Sequence, residues 1–431
     1  MTMLSPASAI QTAMWVESLE GDDPSLYNVT AGWFFESAID VQRLRQAFTE
    51  LVRNHSILTS RFVIESGCLC FESTDAAAMG AETDLVRTEE HAGPLSLRSA
   101  QDWVQTCSAH PFDLETGPLV RLHIRSSSGA VAVALAAHHL VVDAVSFEHL
   151  VRELGQRHAG KHAGMAFDPV PGYGVFVEAQ QRFLQGHAAQ EARAYWSEYL
   201  APLASIERRA PFGRWREQQP LQERRQLAPA ELNRLLRLSA QLHCTPFQIL
   251  SVVLAGCIGE AAALSLVCIG YPISLREPAT AAVIGPVLNT LPLLVRTGAG
   301  NGERAALIQA ARDDLLMALE HVQLPFSELT KAFFVAHQQP ARDLVAGVVS
   351  FVVRASSDGV NPALDGQGAV NISPLPVSPK FPVSLHVVRQ GSDMLIELES
   401  VPLGRTQAPL TARRLMEALA DLLDECLLET S

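Results

Sequence analysis

The sequence predicts an α/β protein of two lobes, and three observations carry the prediction. Stretches of helical and of strand periodicity alternate through both halves of the chain. With 431 residues, 48% of them hydrophobic and 18% charged, there is apolar surface for more than one core. Between Gly164 and Gly174, Pro169, Pro171 and glycines break the pattern, so the crossover is expected there and the lobes at 1–170 and 171–431.

Taken in order, Asp40 is a good N-cap, and Val41, Leu44, Phe48, Leu51 and Val52 recur at helical spacing, so 41–54 reads as an amphipathic helix. A strand at Leu58 to Val63 follows. From Leu119 to Arg125 the chain alternates, Val120, Leu122 and Ile124 against Arg121, His123 and Arg125, which marks a half-buried strand. Val131 to Ala137 is apolar on both faces and reads as a central strand. Ser146 can then cap a helix that turns Phe147, Leu150, Val151 and Leu154 to the core. In the second half, helices are expected near 188–200, 229–243, 246–259, 304–320 and 409–428. Strands are expected near 264–271, 345–354, 383–388 and 393–399, and no internal repeat is visible.

Lys and Arg number 33 against 46 Asp and Glu, a net charge of −13, which argues against a nucleic-acid partner. The seven cysteines, at 68, 70, 107, 244, 257, 268 and 426, are an odd and scattered set that suits a reducing cytoplasm rather than a disulfide framework. Cys68 and Cys70 stand too close for zinc-knuckle spacing, and no metal is expected. The N-terminus lacks a signal-peptide pattern, and no run of about 20 uncharged apolar residues occurs. The longest apolar region, Phe247 to Ile273, is interrupted by Glu260. The expectation is a soluble, monomeric, cytoplasmic protein with no membrane partner.

The sharpest chemical feature is His138-His139-Leu140-Val141-Val142-Asp143-Ala144, directly after the buried run AVALAA. Two imidazoles and a carboxylate at the end of an apolar strand are costly unless paired. In one reading they are structural, an imidazole bonded to backbone and Asp143 to an arginine. In the other, one imidazole faces a cleft, where its near-neutral pKa lets it take a proton from an attacking amine or hydroxyl.

HHLVVDA resembles the HHxxxDG signature of condensation domains from nonribosomal peptide synthetases. LSPASAIQTAMW at 4–15 is similar to that family's opening motif, RNHSILTSRF at 53–62 to its RHExLRTRF, and HPFDLETGPLVR at 110–121 to its PFDLxxGPLxR. Further on, CIGYPISLR at 268–276 is similar to IGxPxxxR, IGPVLNTLP at 284–292 to IGxxxNTLP, and HVQLPFSEL at 321–329 to HxxxPFxxL. These matches follow family order over nearly the whole chain.

The resemblance implies two chloramphenicol-acetyltransferase-like lobes in a V-shaped pseudo-dimer with a central tunnel, the second lobe carrying floor-loop and latch segments. It implies a condensation enzyme that moves an acyl, peptidyl or polyketide chain from the phosphopantetheine thioester of a carrier protein to an amine or hydroxyl acceptor. That acceptor is a small molecule or is itself carrier-bound, and chain release to a soluble acceptor is one form of the reaction. No cofactor is then held by this chain, since the pantetheine arm comes with the carrier. His139 is the catalytic candidate, as general base or as positioner of the nucleophile. His138, pointing the other way along a strand, is expected to be structural, and Asp143 is expected to pair with Arg276, or failing that Arg61. Ala144, Ser146 and Asn289 are expected to line the tunnel, although Ser146 also suits a cap and Asn289 a turn.

Two departures stand out. Ala144 replaces the signature glycine and narrows whatever passes there, and Pro382 in PKFPVSLHV replaces an acidic residue. The EGHGRE motif of epimerisation domains and the DFGWG motif of acyl-CoA acyltransferases are absent, which counts against both; an acyl-CoA-dependent enzyme stays an alternative, as does a non-catalytic recruitment platform, which Ala144 keeps open. The leading MTM suggests a free-standing enzyme. His158 and His162, four apart, read as part of a solvated loop rather than a metal site. The arginines at 208, 209, 214, 216, 224 and 225 read as a solvated linker, or else as a dock for an acidic carrier.

Overall fold

The computed structural model describes residues 4–21, 23–73, 85–127, 129–160, 172–204, 215–298, 303–337, 344–354, 368–374, 378–390, 393–404 and 408–428. In chain order, β1 (Leu4–Pro6) and α1 (Ala9–Glu20) lead to β2 (Asn28–Phe35), α2 (Val41–Asn54), β3 (Ser60–Glu65), β4 (Cys68–Ser73), β5 (Val86–Glu90) and α3 (Leu97–Ser108). Then come β6 (Val120–Ser127), β7 (Ala130–His138), α4 (Ala144–His158), α5 (Gly174–Gln185) and α6 (His187–Ala204). They are followed by β8 (Leu221–Gln226), α7 (Pro229–Gln241), α8 (Pro246–Ala262), β9 (Leu266–Ser274), β10 (Leu288–Arg296), α9 (Arg304–Glu320) and α10 (Phe326–His337). The chain closes with β11 (Gly347–Arg354), β12 (Val370–Ile372), β13 (Val383–Gln390), β14 (Asp393–Ser400), a short pair β15 (Pro402–Leu403) and β16 (Ala408–Pro409), and α11 (Ala412–Leu428).

Two compact units result. The first holds Met1–Arg182, Arg276–Leu288 and Ser357–Val377, and the second holds Phe183–Leu275, Asn289–Ser356 and Ser378–Ser431. A division at 170 is therefore too simple: the chain leaves the first unit after Arg182 and returns to it twice. Pro169, Pro171 and His162 lie outside the described residues.

The first unit is built on a sheet of order β12-β2-β7-β6-β5. Its centre, β7, is buried along its whole length, as its unbroken apolar run requires. Helix α3 packs on β2 and β7 through Trp103, Val104, Phe34 and the alanines 130, 132 and 134. Small residues let the helix approach. At Gly32 even a Cβ would lie 2.7 Å from a Val104 methyl. Helices α2 and α4 pack on each other with Leu44, Phe48, Leu51, Leu150 and Leu154 buried.

The second unit carries the sheet β10-β9-β11-β13-β14-β8. Strands β9, β11 and β13 run parallel, and β14 and β8 extend the sheet antiparallel. Residues of α7, α8, α9 and α11 share one core with Leu385, Val387, Ile396 and Leu398. A second cluster joins Trp196 and Leu200 of α6 and Leu329 and Phe333 of α10 to Cys268, Leu291 and Val348. No single helix among the described residues is long and apolar enough to cross a membrane.

Three local expectations are corrected. Asp143, not Ser146, caps α4, because its carboxylate accepts from the Ser146 N–H at 2.7 Å. His158 is no solvated loop residue: it ends α4, is 7% exposed and bonds the Asp40 carbonyl, and the helix stops at Gly160 with φ +70°. Leu58 belongs to a 3-10 turn (Ser56–Thr59) ahead of β3.

Candidate active site

The turn after β7 is pinned at several backbone positions. His138 N–H donates to Leu119 O and His139 N–H to Tyr27 O, Val141 N–H donates to His138 O, and the Gln11 amide donates to Leu140 O at 2.8 Å. His138, 1% exposed, turns its imidazole inward, and its Nδ1 accepts the Leu140 N–H at 3.2 Å. An Nδ1 that accepts leaves the proton of the neutral ring on Nε2. Phe112 meets this ring edge-on at 6.3 Å, and Tyr27 lies 6.1 Å from it and 6.5 Å from His139. His139 alone in this turn is partly exposed among buried neighbours, with Ala144 exposed at the first position of α4.

Asp143 is held from three sides. Arg276 Nη2 reaches both carboxylate oxygens at 2.8 and 2.9 Å, the Val287 N–H donates at 3.0 Å, and the Ser146 N–H supplies the cap. The two side chains are 4% and 8% exposed. Such a pair persists in a dry site when further hydrogen bonds surround it. Arg276 accordingly donates to the carbonyls of Thr280, Val283 and Gly285 and to the Ser146 hydroxyl. Arg61 pairs instead with Glu72 across β3 and β4.

The segment 283–287 is thereby sewn to the turn. Ser146 Oγ donates to Gly285 O and accepts the Gly285 N–H, and Tyr173 OH lies within bonding distance of Pro286 O and Ser8 Oγ. Burial pushes the Tyr173 phenol far up, so it stays a donor. Gly285 is required: at φ +145° its Cβ would lie 2.1 Å from a Tyr173 ring carbon.

The family profile described as the condensation domain matches residues 2–430. The chain belongs to that family. It is 31% identical over 341 residues to phosphinothricin tripeptide synthetase PhsC of Streptomyces viridochromogenes, covering 75% of this chain and 30% of that protein. Other curated relatives are spanned over still smaller shares of their length. The condensation domain of the monacolin K polyketide synthase MokA superposes with a TM-score of 0.75 at 18% identity, covering 99% of this chain and 97% of that one. The epimerization domain from the third module of tyrocidine synthetase B superposes almost as well, at 0.73 with 17% identity, 100% and 96% covered. Likeness of fold therefore does not separate the two reactions.

In this condensation domain Ser146 and Asn289 have their polar atoms committed inside the fold. Asn289, 4% exposed, donates to Val322 O and Leu324 O and accepts the Phe326 N–H, tying β10 to the start of α10. Pro382 is buried, and its carbonyl accepts the Val401 N–H. Of the basic stretch, Arg208, Arg209 and Arg214 lie outside the described residues. Arg216 covers the Trp215 ring, Arg224 pairs with Glu397 and Arg225 with Glu231. Among the described residues no cluster could hold a metal ion. The supporting groups that sequence reading missed are Gln11, Tyr27, Tyr173 and the Gly285 to Val287 backbone. Gln11 lay inside the match at 4–15 and Gly285 to Val287 inside the IGPVLNTLP match, whereas Tyr27 and Tyr173 carried no signal.

Proposed function

We propose that this chain is a condensation-type acyltransferase that takes an acyl chain from the phosphopantetheine thioester of a carrier protein and joins it to an amine or hydroxyl acceptor. The observation that supports it is the contrast within one turn: His138 and Asp143 are spent on holding the loop, and His139 remains as the partly exposed imidazole. In the reaction the acceptor N–H or O–H attacks the thioester carbonyl, an amide or ester bond forms, the C–S bond breaks, and the carrier thiol leaves with the proton. His139 accepts that proton from the nucleophile and delivers it toward sulfur. Ala144, exposed at the start of α4, borders the path of the reacting groups in this reading. The chain holds no cofactor of its own in this reading, since the thioester arm is substrate delivered by the carrier.

Intact-mass analysis of an acyl-loaded carrier tests this, with candidate amines and alcohols added. The carrier should lose its acyl mass only when acceptor is present, this protein's mass should stay constant, and His139→Ala should slow product formation by about a hundredfold. An acyl adduct on this protein would overturn direct transfer. Turnover with acyl-CoA but not with carrier would make it an ordinary acyltransferase, and a carrier that binds without losing its acyl group would make it a recruitment platform.

A further inference from the structure

Where α6 and α9 meet the edge strand β10, the second unit holds a cavity of about 240 Å³. Its walls come from elements of that unit alone. They are mostly apolar, with Leu266 of β9, Leu294 of β10, and Leu307 and Ala310 of α9, and the polar side chains among them are Tyr199, Asp314 and Arg296. Apolar walls with a few convergent polar groups are the form that small-molecule pockets take.

Those polar groups are not equally engaged. Tyr199 OH accepts the Leu294 N–H at 2.9 Å and donates to Asp314 Oδ2 at 3.2 Å, so its single proton is spent. Burial pushes this phenol far up and keeps that proton in place. Among the described residues Asp314 has no other hydrogen bond and no ion pair, and burial raises its carboxyl against the influence of the Tyr199 bond, with Asp313 adding to the rise. Arg296, the last residue of β10, is exposed and has neither a hydrogen bond nor an ion pair among the described residues. The two charges are set apart along the cavity. Tyr199 joins Leu294 to Asp314, whereas Arg296 stands two residues past Leu294, and Asp314 follows Leu307 by two turns of α9, which is about 10 Å of helix.

We propose that this cavity binds a small dipolar molecule, an ω-amino acid, with its carboxylate on Arg296, its ammonium on Asp314 and its methylene chain against the apolar walls. Each end meets a group whose charge the fold leaves without a partner of opposite sign. An α-amino acid carries both charges on one carbon and is too short to reach the two groups. A peptide spacer of the right length would bring amides among walls that offer them few partners. The site stands independently of the acyl-transfer reading.

Isothermal titration of the full chain, with no acyl donor or carrier present, tests this with ω-aminooctanoate against octanoate, octylamine, leucine and trialanine. The ω-amino acid should bind at least about tenfold more tightly than each of the others. Arg296→Gln should bring its affinity down to that of octylamine, and Asp314→Asn to that of octanoate. Ala310→Trp, at an exposed position of the wall, should fill the space and abolish binding with the melting temperature unchanged, and His139→Ala should bind as the parent does. No binding, equal binding of a one-ended analogue, trialanine matching the ω-amino acid, or binding that survives both charge-removing variants overturns the site.

Discussion

Asp143, the N-cap of α4, and Glu399, on the alternating strand β14, are both buried carboxylates, yet their surroundings differ in kind. Asp143 receives a guanidinium and two backbone N–H groups at 2.7 to 3.0 Å, and Glu399 receives one distant amide. Desolvation cost is similar for the two, so the difference lies in compensation. Asp143 is finished by the fold and holds structure together. Glu399 keeps most of its burial cost uncompensated, and its carboxyl is held up at about 7.

Removing each acid should therefore have opposite effects on stability. Asp143→Ala strands Arg276 as a buried charge and should lower unfolding free energy by about 3–5 kcal/mol in denaturant titrations, with part of the loss recovered in the Asp143→Ala/Arg276→Ala double variant. A fully stable but inactive Asp143→Ala protein would shift Asp143 from holding the loop to taking part in the chemistry. Glu399→Gln should instead stabilise. The folded-state pKa of Glu399, about 7, lies above its ordinary 4.5, so the folded chain keeps a proton that the unfolded chain sheds, and stability falls as pH rises between those values. At pH 8 the Gln variant should gain about 3 kcal/mol, and below pH 4.5 the gain should vanish. A flat difference across that range would refute the assignment. The smallest effect is at Ser146, where alanine removes a hydroxyl bonded to Gly285 and Arg276 but leaves the ion pair, and should cost about 1 kcal/mol by thermal melting.

How far each carboxylate was legible follows from where its partners lie. The HHLVVDA turn announces itself because polar groups at the end of an all-apolar strand must be satisfied, and the IGxPxxxR match pointed to Arg276. The remaining partners are backbone atoms at 285–287 and side chains at 11 and 173, and nothing local in the sequence links those positions to 143. Glu399 was hidden by its own regularity. In LIELES, Ile396 and Leu398 alternate with Glu397 and Glu399 as in any strand with one wet face, and a single strand cannot reveal that the second acid lacks a guanidinium opposite it. Ser146 and Asp143 are both capable caps three residues apart. The carboxylate wins the cap, and the hydroxyl is drawn off by Gly285.

The late arrival of Arg276 has a consequence on the ribosome. It follows Asp143 by 133 residues, so at about 5–20 residues per second the acid is made roughly 7–27 s before the guanidinium that neutralises it. During that interval the nascent first unit has its sheet strands β2, β5, β6 and β7 but not the segment from Arg276 to Leu288 that anchors the turn after β7. The turn therefore cannot reach its final geometry until more than half of the protein has been translated, and a ribosome that stalls before that point leaves a half-made site exposed to chaperones and proteases.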